Sequence, residues 1–548
     1  MNNERNPEEI KKTEGSFARG SLSVWWPCLG LCLWALVLRI LAAGKAFPAV
    51  GDVSHFVQYG KVFAATGSLE SLSSLWSLAP QFLSAWSMKM GWMPQYVLQA
   101  TTVVFGALAV TGVYALAMEL THRRRVAFVS GLLVATNPVL IRLAATGFSD
   151  TPHFALGTWA LTLAFAGARK RKAWLFALAA AVASIDMYYR TYDLFLYVSA
   201  ASPFILWRLR GCGWRMGTKL VGTALLAGLV CSLPFFAVNN AISGWNPSDS
   251  KLGNLALGES GTNAKELYAQ SGIDGDKTAL SMRLKELERN GVLKYLWAHK
   301  MEIARRYPSN IARGIRVVND HVFVGMFRMG LFWFLLLGIL CASSMRVGVG
   351  GYLLLSIGVV VGAISLGFVN PRWLIQCVPF CAVLVGGGFD WLLTCFSSRR
   401  VCRMAWGLVL VLGLLNGRWA VARLDDDWKQ QNLFAVCDRL HQTMGEDERL
   451  MSFRPELPAL FYQTNALCWN VIPYGSVDDV FAQADAQGVA CIVLNDSILP
   501  HFPIHEVERH PEMLPAPWTE IDRLEFEKET RFGLERDVYR FYRRDVAN

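Results

Sequence analysis

The chain has 548 residues, of which 53% are hydrophobic and only 18% charged, against about 25% charged in an average soluble protein, and its mean hydropathy is +0.30. These proportions exclude a single water-soluble globule, a disordered chain, a collagen-like repeat and a small disulfide-stapled secreted domain. The net charge of +10 is unevenly placed: residues 422–548 carry 13 basic and 23 acidic side chains, a net of −10, which leaves +20 for residues 1–421.

A basic, apolar body suits anionic lipid and lipid-linked phosphate, and the acidic, polar tail reads as a separate soluble domain. At about 20 apolar residues per bilayer crossing, eleven apolar segments follow one another, at 22–43, 97–118, 126–143, 153–168, 173–188, 193–207, 219–238, 326–343, 347–367, 373–395 and 404–421. The first is too long for the apolar part of a cleaved signal peptide, about 7 to 15 residues, and reads as an uncleaved span. With the N-terminus in the cytoplasm, the short loops on that side hold 15 Lys and Arg, from Arg123 to Arg403, against two, Arg190 and Arg372, on the other. That asymmetry orients the chain, and it accounts for the basic loops without invoking nucleic acid. The expected layout is a cytoplasmic tail at 1–21, a membrane body at 22–421 with long external loops at 44–96 and 239–325, and an extracytoplasmic α/β domain at 422–548.

In the first external loop, GDVSHFVQYGKVFAATG predicts a short helix that Asp52 either caps or opens as a general base, with Phe56, Tyr59, Val62 and Phe63 near the membrane surface. The basic run LSMRLKELERNGVLKYLWAHKMEIARRYP, with helix-spaced Leu284, Leu287, Tyr295 and Leu296, is expected on the lipid headgroups. Gly386, Gly387 and Gly388 fall inside a span, where small residues let helices approach. The tail alternates between helix and strand periods: helices near 428–444, 457–463 and 477–487, and strands at 448–453, 489–495, 519–528 and 537–543. No GxGxxG follows its strands, so a dinucleotide is not supported. Nine of the twelve cysteines lie in or beside apolar runs and read as small core residues; Cys437, Cys468 and Cys491 fall in the tail.

Charges that topology does not explain are the functional candidates. Asp52 follows the first span, and Asp150 sits in the tiny external loop ATGFSDTPH, where Thr151 and Pro152 also look like the opening of a helix. Each is followed three residues later by histidine, His55 and His153, a spacing that puts both members on one helix face. Two carboxylates and two imidazoles offer a divalent metal site as one reading. Arg190 and Arg372 are the exceptions to the loop-charge rule. Each reads either as an interfacial anchor beside its aromatic neighbours or as a bidentate phosphate contact. Arg39 and Lys61 are weaker candidates, and Asp186, Asp193 and Asp390 read as structural partners of nearby cations.

The order of these features resembles that of the GT-C glycosyltransferases that use polyprenyl-phosphate-linked sugars, a group containing protein O-mannosyltransferases and lipid A aminoarabinose transferases. The pieces are LVLRILAAG, GDVSHFVQYGKVFAATG, LWSLAPQFLSAWSMKMGWMP, LTHRRRVAFVSGLLVATNPVLIRLAATGFSD, MYYRTYD, SLPFFAVNN with GWNP, and NPRWLIQCVPFCAVLVGGG. The resemblance implies a multi-spanning helical GT-C body with Asp52 and Asp150 as catalytic acids. It further implies Arg190 and Arg372 on the donor phosphate; from the residues themselves, Lys61 is a candidate for the same phosphate, and His55 and His153 are candidates for support. Val53 and His55 stand where relatives carry a second acid or a tyrosine. The implied partners are a polyprenyl-phosphate sugar, an extracytoplasmic acceptor and membrane lipid, and the implied location is a bacterial inner membrane. Two rival readings are a transporter or lipid flippase, which calls for midplane charges and repeated halves, and a non-catalytic envelope assembly factor.

Overall fold

The computed structural model describes residues 21–48, 51–73, 76–190, 213–243, 297–322, 349–366, 371–396, 398–424, 428–445, 447–454, 456–462, 469–471, 476–495, 503–530 and 533–544, with four isolated positions at 202, 205, 209 and 294. In chain order the helices of the body are α1 (Ser21–Ala43), α2 (Asp52–Thr66), α3 (Leu78–Lys89), α4 (Pro94–Thr121), α5 (Arg124–Thr136), α6 (Pro138–Ala145), α7 (Asp150–Lys170), α8 (Ala173–Asp186), α9 (Trp214–Ser243), α10 (Lys300–Val322), α11 (Val349–Ser365), α12 (Val378–Cys395) and α13 (Arg399–Ala422). A 3-10 turn, Pro371–Cys377, leads into α12. The C-terminal part follows with α14 (Trp428–Thr443), β1 (Arg449–Ser452), α15 (Glu456–Phe461), β2 (Trp469–Val471), α16 (Val477–Ala486), β3 (Val489–Asn495), α17 (Glu506–Arg509), β4 (Trp518–Thr530) and β5 (Gly533–Arg544).

Among the described residues, five runs are long and apolar enough to cross a bilayer: those in α1, α4, α9 and α13, and Arg372–Cys395. The third expected segment is a broken one, α5 and α6, bent by 52°. The fourth is the 21-residue α7, and the fifth and ninth are the shorter apolar helices α8 and α11. The expected segments at 193–207 and 326–343, Asp193 and the headgroup residues Leu284, Leu287, Tyr295 and Leu296 lie outside the described residues or at their edge.

The break in the third segment has a chemical cause. Pro138 lacks an N–H and drives the residue before it out of the helical region, and Asn137 is extended, at φ −67° and ψ 119°. Its side chain instead accepts the Leu140 N–H and starts α6. The carbonyls freed at the end of α5 need new donors. Arg39, fully buried in α1, donates to Ala135 O at 3.2 Å and Val134 O at 3.3 Å, and Asn416 of α13 donates to Thr136 O at 3.0 Å. Arg39 therefore holds a helix break, and the redirected α6 delivers the chain to Asp150.

Helix α12 lies so close to α5 that a Cβ at Gly386 would fall 2.7 Å from Val126 O, the close approach expected of the span glycines. At this end of the bundle Arg169 forks onto Glu119 at 2.8 and 3.0 Å, and Arg123 meets Asp390 at 2.8 Å.

The C-terminal sheet has the order β2-β1-β3-β5-β4, with β2, β1 and β3 parallel and β5 antiparallel to both neighbours. Strand alternation builds a core on each face. Cys491, Val493 and Phe541 pack with Leu433, Leu440 and Phe461 on one side, and Ile492, Leu494 and Tyr542 pack with Val480, Phe481 and Trp518 on the other. The edge strand β2 was not anticipated from sequence, because three residues show no period. Cys437 and Cys491 are buried free thiols, as their apolar surroundings imply, and Cys468 lies outside the described residues.

Candidate functional site

Four chain segments meet at the end of the bundle opposite the Glu119–Arg169 pair. Gly51, at φ 56° and ψ −120°, occupies the N-cap position of α2, and Asp52 is the first helical residue. A side chain at Gly51 would be strained in this left-handed conformation. Asp52 thus stands inside the cap, and its Oδ2 meets Arg372 Nη1 at 2.8 Å. Asp150 is placed the same way. The chain turns at Gly147, with φ 86°, Ser149 takes the N-cap position without a side-chain cap bond, and Asp150 opens α7. Its Oδ1 is ion-paired with Arg190 Nη2, and its Oδ2 lies 3.7 Å from Arg372 Nη1. Neither acid occupies the N-cap position itself.

Arg190 is held by its backbone. Its N–H donates to Asp186 O at the end of α8. The start of the loop helix α3 then ties down the two preceding carbonyls: Ser77 Oγ donates to Tyr189 O, and the Ala79 N–H donates to Tyr188 O at 3.0 Å. Ser77 also bonds Ser149, next to Asp150, at 3.0 Å. Arg372 lies over the Phe148 ring, 4.7 Å from its centroid, a favourable place for a guanidinium. Asp52, Arg372, Asp150 and Arg190 are thus linked in that order as one cluster.

Its two halves differ in exposure. The side chains of Asp150 and Arg190 are 1% and 5% exposed, whereas those of Asp52 and Arg372 are 23% and 28% exposed. Two acids and two arginines cancel in charge. The N-termini of α2 and α7 both end at the cluster, each worth about half a positive charge, so the balance favours an arriving anion. Asp150 Oδ2, Thr151 Oγ1 and Gln376 Oε1 are buried without a hydrogen-bond partner.

The other sequence candidates go elsewhere. Lys61, expected at the donor phosphate, instead donates through Nζ to Ala459 O and Tyr462 O of the C-terminal part, both at 2.8 Å. That contact joins residues 398 and 401 positions apart, beyond the reach of local spacing. His55 stacks on Trp76 with centroids 4.4 Å apart. Burial holds its imidazole below the ordinary histidine range, against the weaker upward pull of Asp52. His153 is buried between Asp186 and Gln376: Nδ1–H donates to the carboxylate at 2.8 Å, and Nε2 accepts from the amide at 3.1 Å. Among the described residues no three His, Cys, Asp or Glu side chains are grouped to hold a metal. The DxxH metal arrangement is not formed there. Asp390, expected beside a cation, is ion-paired with Arg123, whereas the partner of Asp186 is the imidazole of His153.

Sequence reasoning missed Gly51, Gly147, Ser77, Phe148 and Gln376, and read Thr151 only as part of a helix opening. The one available signal was a glycine just ahead of each acid, in VGD and GFSD.

No protein-family model matches the chain, and no curated protein matches it by sequence. Solved structures do match. ArnT from Cupriavidus metallidurans bound to undecaprenyl phosphate superposes with a TM-score of 0.60 at 11% identity, covering 93% of this chain and 97% of that one. The apo form gives 0.59 at 11% identity, over 94% and 97%. The likeness extends over nearly the whole of both chains and shows that they share a fold.

Proposed function

We propose that the chain is an integral-membrane glycosyltransferase that moves a sugar from a polyprenyl-phosphate donor to an acceptor hydroxyl on the outer side of a bacterial inner membrane. The observation that carries this reading is the convergence of Asp52, Asp150, Arg190 and Arg372 from four separate segments at one end of an apolar helical body. A transporter calls for charges at the midplane and for repeated halves, whereas this cluster is terminal. The ArnT structure holding undecaprenyl phosphate supports a lipid-phosphate donor for this chain also.

The half-exposed pair performs the chemistry. Without donor, Arg372 neutralises Asp52. A donor phosphate recruits the Arg372 guanidinium, in the fork geometry that suits its oxygens, and releases Asp52 as a free carboxylate. The acceptor oxygen attacks the anomeric carbon and its proton passes to Asp52, while the carbon–oxygen bond to phosphate breaks and the departing charge falls on Arg372. A positioned base contributes about 10²- to 10⁴-fold in rate. Single displacement inverts the anomeric centre. Asp150 acts by holding both arginines, with Arg190 fixed at the back of the site. The prenyl chain stays in lipid between helices, and the C-terminal α/β part faces the same outer compartment as the cluster.

The test is to incubate the full-length protein in nanodiscs with a panel of polyprenyl-phosphate sugars and envelope extracts, and to follow lipid, glycan and protein by mass. A mass gain of one sugar on an acceptor, matched by released polyprenyl phosphate, is the expected result. Movement of the donor across a bilayer without covalent transfer overturns it.

A further inference from the structure

Directly behind Asp52, the C-terminal part takes hold of the helix that Asp52 opens. Helix α15 lies alongside α2 and is joined to it at both ends. At its start, Glu456 Oε1 accepts the Gly51 N–H at 3.3 Å, one residue before Asp52. Past its end, Lys61 Nζ satisfies the carbonyls of Ala459 and Tyr462, groups that a helix C-terminus otherwise leaves without donors. Between these contacts Ala459 packs with Val53, Phe56 and Val57 in one buried cluster. On its other side α2 presses on α3, where a Cβ at Gly60 would fall 2.4 Å from Ser84 Cβ. The helix is wedged along its length.

Stability alone does not call for these groups. Glu456 and Lys61 are 6% and 7% exposed, and Glu456 Oε2 is buried with no hydrogen-bond partner. A buried carboxylate serving one backbone N–H is costly to desolvate. What the contact does achieve is to fix the left-handed turn at Gly51, and with it the point where Asp52 leaves the chain.

We propose that the C-terminal α/β part sets the position of Asp52 for reaction, with Glu456 and Lys61 as positioning residues in a two-ended grip of α15 on α2. The proposal rests on the glycosyltransferase reading. Neither residue touches substrate; both act through α2. A displacement of about 1 Å at a reacting group costs on the order of 100-fold in rate, so slack in the grip appears in turnover before it appears in folding.

The experiment compares the full-length wild type with Lys61→Met, Lys61→Arg and Glu456→Gln in nanodiscs, reading hydrogen exchange over residues 51–66, melting temperature, and kcat and KM separately. Faster exchange in that segment is expected for Lys61→Met and Glu456→Gln. Their kcat is expected to fall about 10- to 100-fold with donor KM and melting temperature nearly unchanged, and Lys61→Arg recovers most of the loss. Arg536→Ala, which breaks an exposed pair with Glu527 in the β4–β5 hairpin, leaves every readout as in the wild type. Three outcomes overturn the proposal: unchanged kcat, a loss that follows global unfolding, or a rise in KM alone, which returns Lys61 to the donor phosphate. If the wild type transfers no sugar, the enzyme reading fails, and unchanged exchange over 51–66 then separately removes the grip.

Discussion

The pairs Asp150–Arg190 and Asp52–Arg372 use the same two side-chain chemistries in different surroundings. The first is sealed from water, and the second is about a quarter exposed. A buried pair is costly to form and more costly to break, because removing one member strands the other as an unpaired charge. A pair that is about a quarter exposed stands between this case and a fully exposed surface pair, which is worth about 0 to 1 kcal/mol, so it is cheaper to break than the sealed one. The contrast assigns structure to one pair and chemistry to the other: the sealed pair keeps the arginines in place, and the open pair exchanges partners when an anion arrives.

Three substitutions break or sharpen that contrast. Asp150→Asn leaves Arg190 buried opposite a neutral amide, and its expected cost is about 3 to 5 kcal/mol of stability, read as a large fall in folded yield and in melting temperature in detergent. A variant that folds normally and loses only turnover would move Asp150 into the chemistry. Arg372→Gln is expected to leave melting within about 1 kcal/mol of wild type and to weaken binding of polyprenyl phosphate about 10- to 100-fold, the worth of one or two hydrogen bonds to a charged group. Titration of the lipid against purified protein measures it. The smallest effect is that of His55→Ala, which removes the stack on Trp76 and costs about 0.5 to 1.5 kcal/mol. Because burial lowers the His55 pKa in the folded state, the unfolded chain takes up the proton first as pH falls through the ordinary histidine range. The wild type therefore loses stability below about pH 6.5, and His55→Ala loses less over the same window.

What was legible in the sequence followed from one-dimensional signals. Among the described residues, long apolar runs and the paired strand periods at 489–495, 519–528 and 537–543 reappear as helices and as the strands β3, β4 and β5. Arg190 and Arg372 stood out because the loop-charge rule left them unexplained, and Asp52 and Asp150 because they are charges just outside apolar segments; all four meet at one end of the bundle. The roles that sequence did not reveal depend on contacts between distant segments. Nothing near Lys61 points to carbonyls some 400 positions away, nothing near His153 points to Gln376, and nothing near Arg39 points to a helix broken almost 100 residues later. The third apolar segment read as one span because its hydropathy is continuous through Asn137 and Pro138, whereas its backbone is not.

Asp52→Asn is the most direct test of the account. It removes the base and at the same time unties Arg372, keeping the shape of the side chain. The account predicts that, in the full-length protein in nanodiscs, sugar transfer falls about 10²- to 10⁴-fold while polyprenyl phosphate binds as tightly as to the wild type, or more tightly. Transfer at the wild-type rate, or loss of lipid binding in step with loss of transfer, would contradict it.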